Sequence, residues 1–166
     1  DGVGVHLTAT SSPRAVSFKT SPYPGFPTDL QAPMMVAQAV AKGESSICET
    51  VFENRMIHVR ELQKMGAQIR HEGMYAHVHG VNKLYGASVI GTDIRACAAL
   101  VIAGLVAQGV TTVTGLDHLH RGFANFEGKL RKLGANISES RVAKSDTQSG
   151  STCVVGQLSV TNDIQK

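Results

Sequence analysis

The chain contains no tryptophan, and its aromatic content is only 5% of 166 residues. Its interior must therefore be assembled from Val, Ile, Leu, Ala and Met. Cysteine is scarce as well: Cys48, Cys97 and Cys153 are odd in number and lack CxxC spacing, which speaks against a disulfide framework and for reduced core thiols in a cytoplasmic protein. Long apolar runs are missing. The longest strongly apolar stretch, residues 96–107, falls well short of the roughly 20 residues that span a bilayer, so a buried helix and no membrane partner are expected. The first residues form no basic, then apolar, secretion signal, and Asp rather than Met at position 1 points to a processed chain or a piece of one. Runs of Lys and Arg are absent, and the net charge is only +3, a balance that fits small anionic substrates better than nucleic acid. No GxGxxG, GxxxxGK[ST] or GxSxG pattern occurs, which leaves dinucleotide, P-loop and hydrolase-elbow functions unsupported.

What is present is 42% hydrophobic content, 17 glycines and an internal repeat. The length suits one compact domain or part of a larger one. Thr28-Asp29 opens one apolar helical segment ending near Gly43, and Thr92-Asp93 opens another ending near Gly109. A β-like run follows each, residues 46–52 and 111–116, and a second helical segment closes each copy at Met65-Gly66-Ala67 and Leu133-Gly134-Ala135. The paired landmarks Asp29/Asp93, Gly43/Gly109 and Gly66/Gly134 lie 64, 66 and 68 residues apart. Two units result, residues 14–81 and 82–137, with residues 138–166 left as a polar linker and an unassigned tail holding one possible strand at 152–160. Further strands are expected at 15–20, 75–81 and 87–90. The whole reads as an α/β domain of repeated βα units, with room for a third unit outside the chain.

The sharpest chemical feature is the pair of helix starts, each with an Asp and with Arg55, Arg95 and Arg121 nearby. Helix N-termini and arginine forks both attract phosphate and carboxylate. On the residues alone the favoured reading is plainer: each Asp complements its helix dipole and the arginines form surface ion pairs, and helix capping by itself accounts for the repetition. Pro33 is expected to loosen the first helical turn, and the Pro- and Gly-rich residues 21–27 to stiffen the approach to Asp29. The pairs His77/His79 and His118/His120 have strand-like metal spacing, but no Cys or carboxylate shares it, so no metal site is assigned.

Several of these segments, in order, resemble one enzyme family. Tyr23-Pro24-Gly25-Phe26-Pro27-Thr28-Asp29-Leu30-Gln31-Ala32, Glu49-Thr50-Val51-Phe52-Glu53-Asn54-Arg55, Thr92-Asp93-Ile94-Arg95-Ala96 and His120-Arg121-Gly122-Phe123 together are similar to UDP-N-acetylglucosamine 1-carboxyvinyltransferases, of the enolpyruvyl transferase type. The likeness runs over residues 14–137 and corresponds to the C-terminal part of the family chain. It implies an inside-out α/β barrel fold in which two domains of three repeated units close over the substrates. It also implies transfer of the enolpyruvyl group of phosphoenolpyruvate to the 3′-hydroxyl of UDP-N-acetylglucosamine with phosphate release, the first committed step of peptidoglycan and cell-wall synthesis. No cofactor is implied.

By the same resemblance Asp29 takes the proton of the sugar hydroxyl, and Val51 with Phe52 contacts the uridine nucleotide. Asp93 lies near the reacting centre, and Arg95 and Arg121 hold phosphoenolpyruvate and stabilise the leaving phosphate. His120 departs from the family pattern, which has an acid before Arg-Gly, so the pairing of Arg121 is expected to differ. The family's reactive cysteine loop and its further Lys, Asn and Arg ligands have no counterpart here, and Cys48 and Cys97 do not inherit that role. The chain alone is therefore expected to be inactive without the missing N-terminal half. The alternative is a non-catalytic nucleotide-sugar-binding or structural remnant; the shikimate-pathway transferase is a third, disfavoured by Phe-Glu-Asn-Arg and Thr-Asp-Ile-Arg.

Overall fold

A computed structural model describes residues 11–141 and 151–156. They form two mixed four-stranded sheets built on one plan. The first contains β1 (Phe18–Lys19), β2 (Glu44–Cys48), β3 (Gln68–Glu72) and β4 (Tyr75–His79), in the order β1-β2-β4-β3. The second contains β5 (Ser88–Ile90), β6 (Val110–Thr114), β7 (Ile137–Arg141) and β8 (Ser151–Gly156), in the order β5-β6-β8-β7. In each sheet the first pair is parallel and the other pairs are antiparallel. The helices are α1 (Gln31–Ala39), α2 (His58–Lys64), α3 (Ile94–Val106), α4 (Asp117–His120) and α5 (Phe126–Lys132). The two sheets do not close into a barrel among the described residues.

The strands β7 and β8 change the picture at the end of the chain. Residues 138–141, expected as linker, lie in β7, and the strand expected at 152–160 is in part β8; β8 pairs with β6 and β7 with β8, as β4 pairs with β2 and β3 with β4. The segment misleads because β7 is Ser-rich and offers few of the β-branched residues that mark a strand. The part of the expected strand beyond residue 156 lies outside the described residues.

Helix α1 packs on β2 and β4, α3 packs on β6 and β8, and the two helices meet each other. Both helices bury small residues, Ala32 and Ala39 on α1 and Ala96, Ala99 and Ala103 on α3. Helix α3 is apolar on nearly every side because it is covered by α1, α2, α4 and the second sheet. Gly104 lets α3 lie against that sheet, since a methyl group there would stand 3.0 Å from Val155 Cβ and 3.1 Å from Thr111 Cβ. Gly104→Val is therefore expected to destabilise the chain by about 1–3 kcal/mol through overpacking; denaturant midpoints of the two chains measure it.

The closing helices end alike. Gly66 and Gly134 take φ of +89° and +91°, and the following Ala67 and Ala135 donate back to Leu62 and Leu130. A left-handed glycine with that return bond satisfies carbonyls that the helix end leaves open. All three cysteines are free and buried, and burial is the main cause that pushes the Cys97 and Cys153 thiols up to about 12. Cys97 and Cys153 should not react with an aromatic disulfide reagent at mildly alkaline pH until the chain unfolds, because the thiolate is the reactive form; absorbance of the released thiol reports the outcome. No helix among the described residues is long and apolar enough to cross a membrane.

Candidate functional site

The two Thr-Asp helix starts, alike in sequence, do different things. Asp93 is the N-cap of α3, and its Oδ1 accepts hydrogen bonds from the backbone N–H of Arg95 at 2.8 Å and Ala96 at 3.1 Å. Asp29 caps nothing. It lies in a 3-10 turn, Thr28–Leu30, that precedes α1, and neither helix start there receives a side-chain cap. Its Oδ1 instead accepts from Arg95 Nε at 2.8 Å and from Arg55 Nη1 at 3.2 Å, with 64% of the side chain exposed. The capping explanation thus holds for one copy of the repeat and fails for the other.

The turn exists because Pro27 enters it in extended backbone and residues 21–26 are closed by bonds of Ser21 N to Phe26 O and Gly25 N to Pro22 O. Phe26 packs its ring on Phe18 of β1, which anchors the approach. The Arg95 hydrogen bond is the strongest influence on the Asp29 carboxyl; with help from Arg55 it overcomes the opposing effect of burial and holds the group below its ordinary value. Asp29 and Arg55 belong to the first unit and Arg95 to the second, so the cluster bridges the repeat. Glu61 of α2 adds a second bridge by accepting from the backbone N–H of Ile90 on β5 at 2.9 Å.

Two depressions share a residue with this cluster, one through Arg95 and one through Arg55. One, of about 370 Å³, is lined by Asp93, Ile94, Arg95, His118, Arg121 and Gly122. It brings together Arg95 and Arg121, two forks suited to an anion. Arg121 Nη2 stands 2.8 Å from His118 Nδ1. Guanidinium only donates, so that imidazole nitrogen is the acceptor. His120, which stands at the position of the expected acid, is 3.2 Å from Glu139 Oε2 on β7.

The other depression, of about 490 Å³, is formed by the loop from Glu49 to Met56 and by His71, Gly73 and Met74 at the β3–β4 hairpin. Val51 and Phe52 lie in it, and the Arg55 guanidinium sits 4.1 Å over the Phe52 ring. Such a stack leaves an aromatic edge and a cation beside any planar ligand.

Two polar residues that sequence reasoning passed over are buried here. Glu49 is 3% exposed and collects hydrogen bonds from Thr20, Thr28, Val51 and Phe52. Burial alone would raise its carboxyl, but those four donors outweigh it and the net shift is downward. His58, at the start of α2, is 2% exposed, and its Nε2 is buried without a partner among the described residues. Burial pushes its imidazole down from 6.5 to about 4, against the opposing charge of Asp93 and a bond to the Arg55 backbone. Only the burial of a carboxylate and an imidazole beside the site would have revealed them, and sequence does not display burial at single polar positions. The pair His77/His79 stays apart from the site, His77 bonding Ser46 and His79 pairing with Glu44 on the first sheet, whereas His118 lines the Arg95–Arg121 depression. Among the described residues no three His, Cys, Asp or Glu side chains are grouped to hold a metal ion.

With this geometry in view, comparison with known proteins places the chain. The family model described as EPSP synthase (3-phosphoshikimate 1-carboxyvinyltransferase) matches residues 3–130, and the chain belongs to that family. Within it, the chain is 58% identical over 125 residues to a UDP-N-acetylglucosamine 1-carboxyvinyltransferase of Synechocystis, covering 75% of this chain and 28% of that protein. It is 53% identical over 125 residues to the protein of the same name from Prochlorococcus marinus, covering 75% and 27%. The enolpyruvyl transferase NikO from Streptomyces tendae shares the fold with a TM-score of 0.69 and 31% identity, over 75% of this chain and 29% of that one. EPSP synthase from Acinetobacter baumannii shares the fold alone, with a TM-score of 0.56 and 19% identity over 87% of this chain and 31% of that one. The chain spans about a third of the length of the curated relatives it matches.

Proposed function

We propose that the chain is the portion of a UDP-N-acetylglucosamine 1-carboxyvinyltransferase that carries the proton-accepting carboxylate and two of the phosphate-facing arginines. One observation carries this reading: Asp29, unlike its repeat counterpart, is released from capping and is held exposed and ionised between Arg55 and Arg95. The high identity to relatives bearing that name favours the nucleotide sugar over the shikimate substrate. The Val51–Phe52 depression then takes the uridine nucleotide, and the Arg95–Arg121 depression takes phosphoenolpyruvate.

In this scheme Asp29 accepts the proton of the sugar 3′-hydroxyl as its oxygen bonds to C2 of phosphoenolpyruvate, and C3 gains a proton from an acid on the rest of the enzyme. The tetrahedral ketal then loses a proton from C3 and expels phosphate, restoring the enol double bond. Arg95 and Arg121 balance the charge on the departing group. The remaining ligands and a third repeat unit come from the rest of the enzyme, whose two domains form the inside-out barrel and close over both substrates in the cytoplasm.

The test is to combine this chain with the N-terminal portion of the Synechocystis relative and to follow phosphate release with both substrates. Release by the assembly and none by either part is the expected result. Binding of UDP-N-acetylglucosamine without any phosphate release would leave a nucleotide-sugar-binding remnant in place of the enzyme.

A further inference from the structure

We infer that Glu49 is a positioning residue that ties both sides of the candidate site to a single buried carboxylate, fixing the nucleotide turn and the Asp29–Arg55 pair relative to each other. The inference rests on the function proposed above and deepens it. Its basis is the division of labour between the two carboxylate oxygens. Oε1 accepts from Thr20 Oγ1 at 2.8 Å, from Val51 N at 2.8 Å and from Phe52 N at 3.2 Å. Oε2 accepts from Thr28 Oγ1 at 2.8 Å. That hydroxyl accepts in turn from Arg55 Nη1 at 3.0 Å, the same nitrogen that donates to Asp29. One oxygen therefore holds the turn at Val51–Phe52, and the other reaches Asp29 through Thr28 and Arg55.

An ionised carboxylate is the one side chain that suits this place. All four partners donate, a carboxylate only accepts, and charge-assisted bonds are roughly twice as strong as neutral ones. The substitutions then separate the two arms. Glutamine keeps one accepting oxygen. Two backbone N–H groups cannot accept, so that oxygen must stay with Val51 and Phe52 and the amide nitrogen must face Thr28. The Thr28 hydroxyl can accept from that amide with its second lone pair while still accepting from Arg55, so the arm to Asp29 loses its charge-assisted bond and keeps a neutral one, while the nucleotide arm survives. Thr28→Val cuts the same arm from its other end, and Glu49→Ala removes both.

In the assembly of this chain with the N-terminal portion of the relative, E49Q and T28V are expected to lower kcat about tenfold, the effect of one lost charge-assisted bond, and to leave KM for UDP-N-acetylglucosamine within about twofold. E49A should lower kcat similarly and also raise KM by about tenfold or more. In amide-proton spectra of the chain itself, Val51 and Phe52 should shift upfield most in E49A, less in E49Q and not in T28V, whereas the Arg55 guanidinium signal should move in all three variants. Unchanged Val51 and Phe52 signals in E49A, or a KM that rises equally in T28V and E49A, overturns the coupling. If the unsubstituted assembly releases no phosphate, the proposed function fails and the spectra alone decide the coupling. Should E49A not fold, T28V and E49Q decide it: a kcat equal to that of the unsubstituted assembly in both overturns it.

Discussion

Exchanging Asp29 for asparagine should lower the turnover of the assembled enzyme by about a hundredfold to ten-thousandfold, the contribution of a positioned general base, while barely changing the melting temperature of the chain. Asparagine keeps the size of the side chain and one oxygen for Arg95, but it cannot take a proton. Stability should survive because the ion pairs of Asp29 lie on a side chain that is 64% exposed, and such pairs contribute only about 0–1 kcal/mol. The repeat supplies a comparison for stability alone, since Asp93 also lines the Arg95–Arg121 depression. Asp93→Ala removes two hydrogen bonds from the first turn of α3 and should cost about 1 kcal/mol of stability, the usual cost of losing a cap. Parallel melting curves distinguish the two aspartates, and phosphate-release rates test Asp29. An asparagine variant that kept more than a tenth of the turnover would remove Asp29 from the chemistry. The arginines also set the pH behaviour, since Arg95 chiefly and Arg55 hold the carboxyl below its ordinary 3.8. The base therefore stays ionised throughout the neutral and mildly acidic range, and no loss of rate there should trace to its protonation.

The largest expected effect on stability comes from His58 on acidification. Its imidazole titrates near 6.5 when the chain is unfolded and at about 4 when burial surrounds it in the fold. Between those values the unfolded chain binds the proton that the folded chain refuses, so unfolding free energy rises with pH across the window. The full stability is present above 6.5 and falls by about 3 kcal/mol as the pH drops to about 4. Asp29 and Glu49 act in another range. Their carboxyls are held below 3.8 and 4.5, so their contributions persist above those values and are lost only at lower pH. Denaturant unfolding at a series of pH values, repeated with His58→Leu, measures the difference. The variant should lose most of the slope between 6.5 and 4; an unchanged slope would assign the acid sensitivity elsewhere.

The repeat was legible because each copy carries the same punctuation: Thr-Asp before a helix, a β-branched run, and a Gly-Ala step after the second helix. Those signals are local, and the structure returns them at Gly66 and Gly134 with nearly identical backbone angles. Of the last two strands, β8 was legible in part, as the strand expected at 152–160, and β7 was not. Ile137–Arg141 holds its place by pairing with β8, and a polar strand of that kind announces itself only through its partner. The site divides the same way. Asp29, Arg95 and Arg121 stood out by type and position, and the structure joins Asp29 to Arg95 and sets Arg95 beside Arg121. What the sequence hid was the difference between Asp29 and Asp93, because both follow threonine before an apolar helix. The difference arises from Arg55 and Arg95, which reach Asp29 from 26 and 66 residues away. Glu49 was hidden for the same reason, since its four donors converge from three separate segments of chain.

The bond from Arg95 to Asp29 joins one copy of the duplicated plan to the other. Either unit by itself lacks one member of that bond, so the Asp29–Arg95 pair forms only where both units stand side by side, and separating them between residues 81 and 82 would dismantle the site without altering a residue in it.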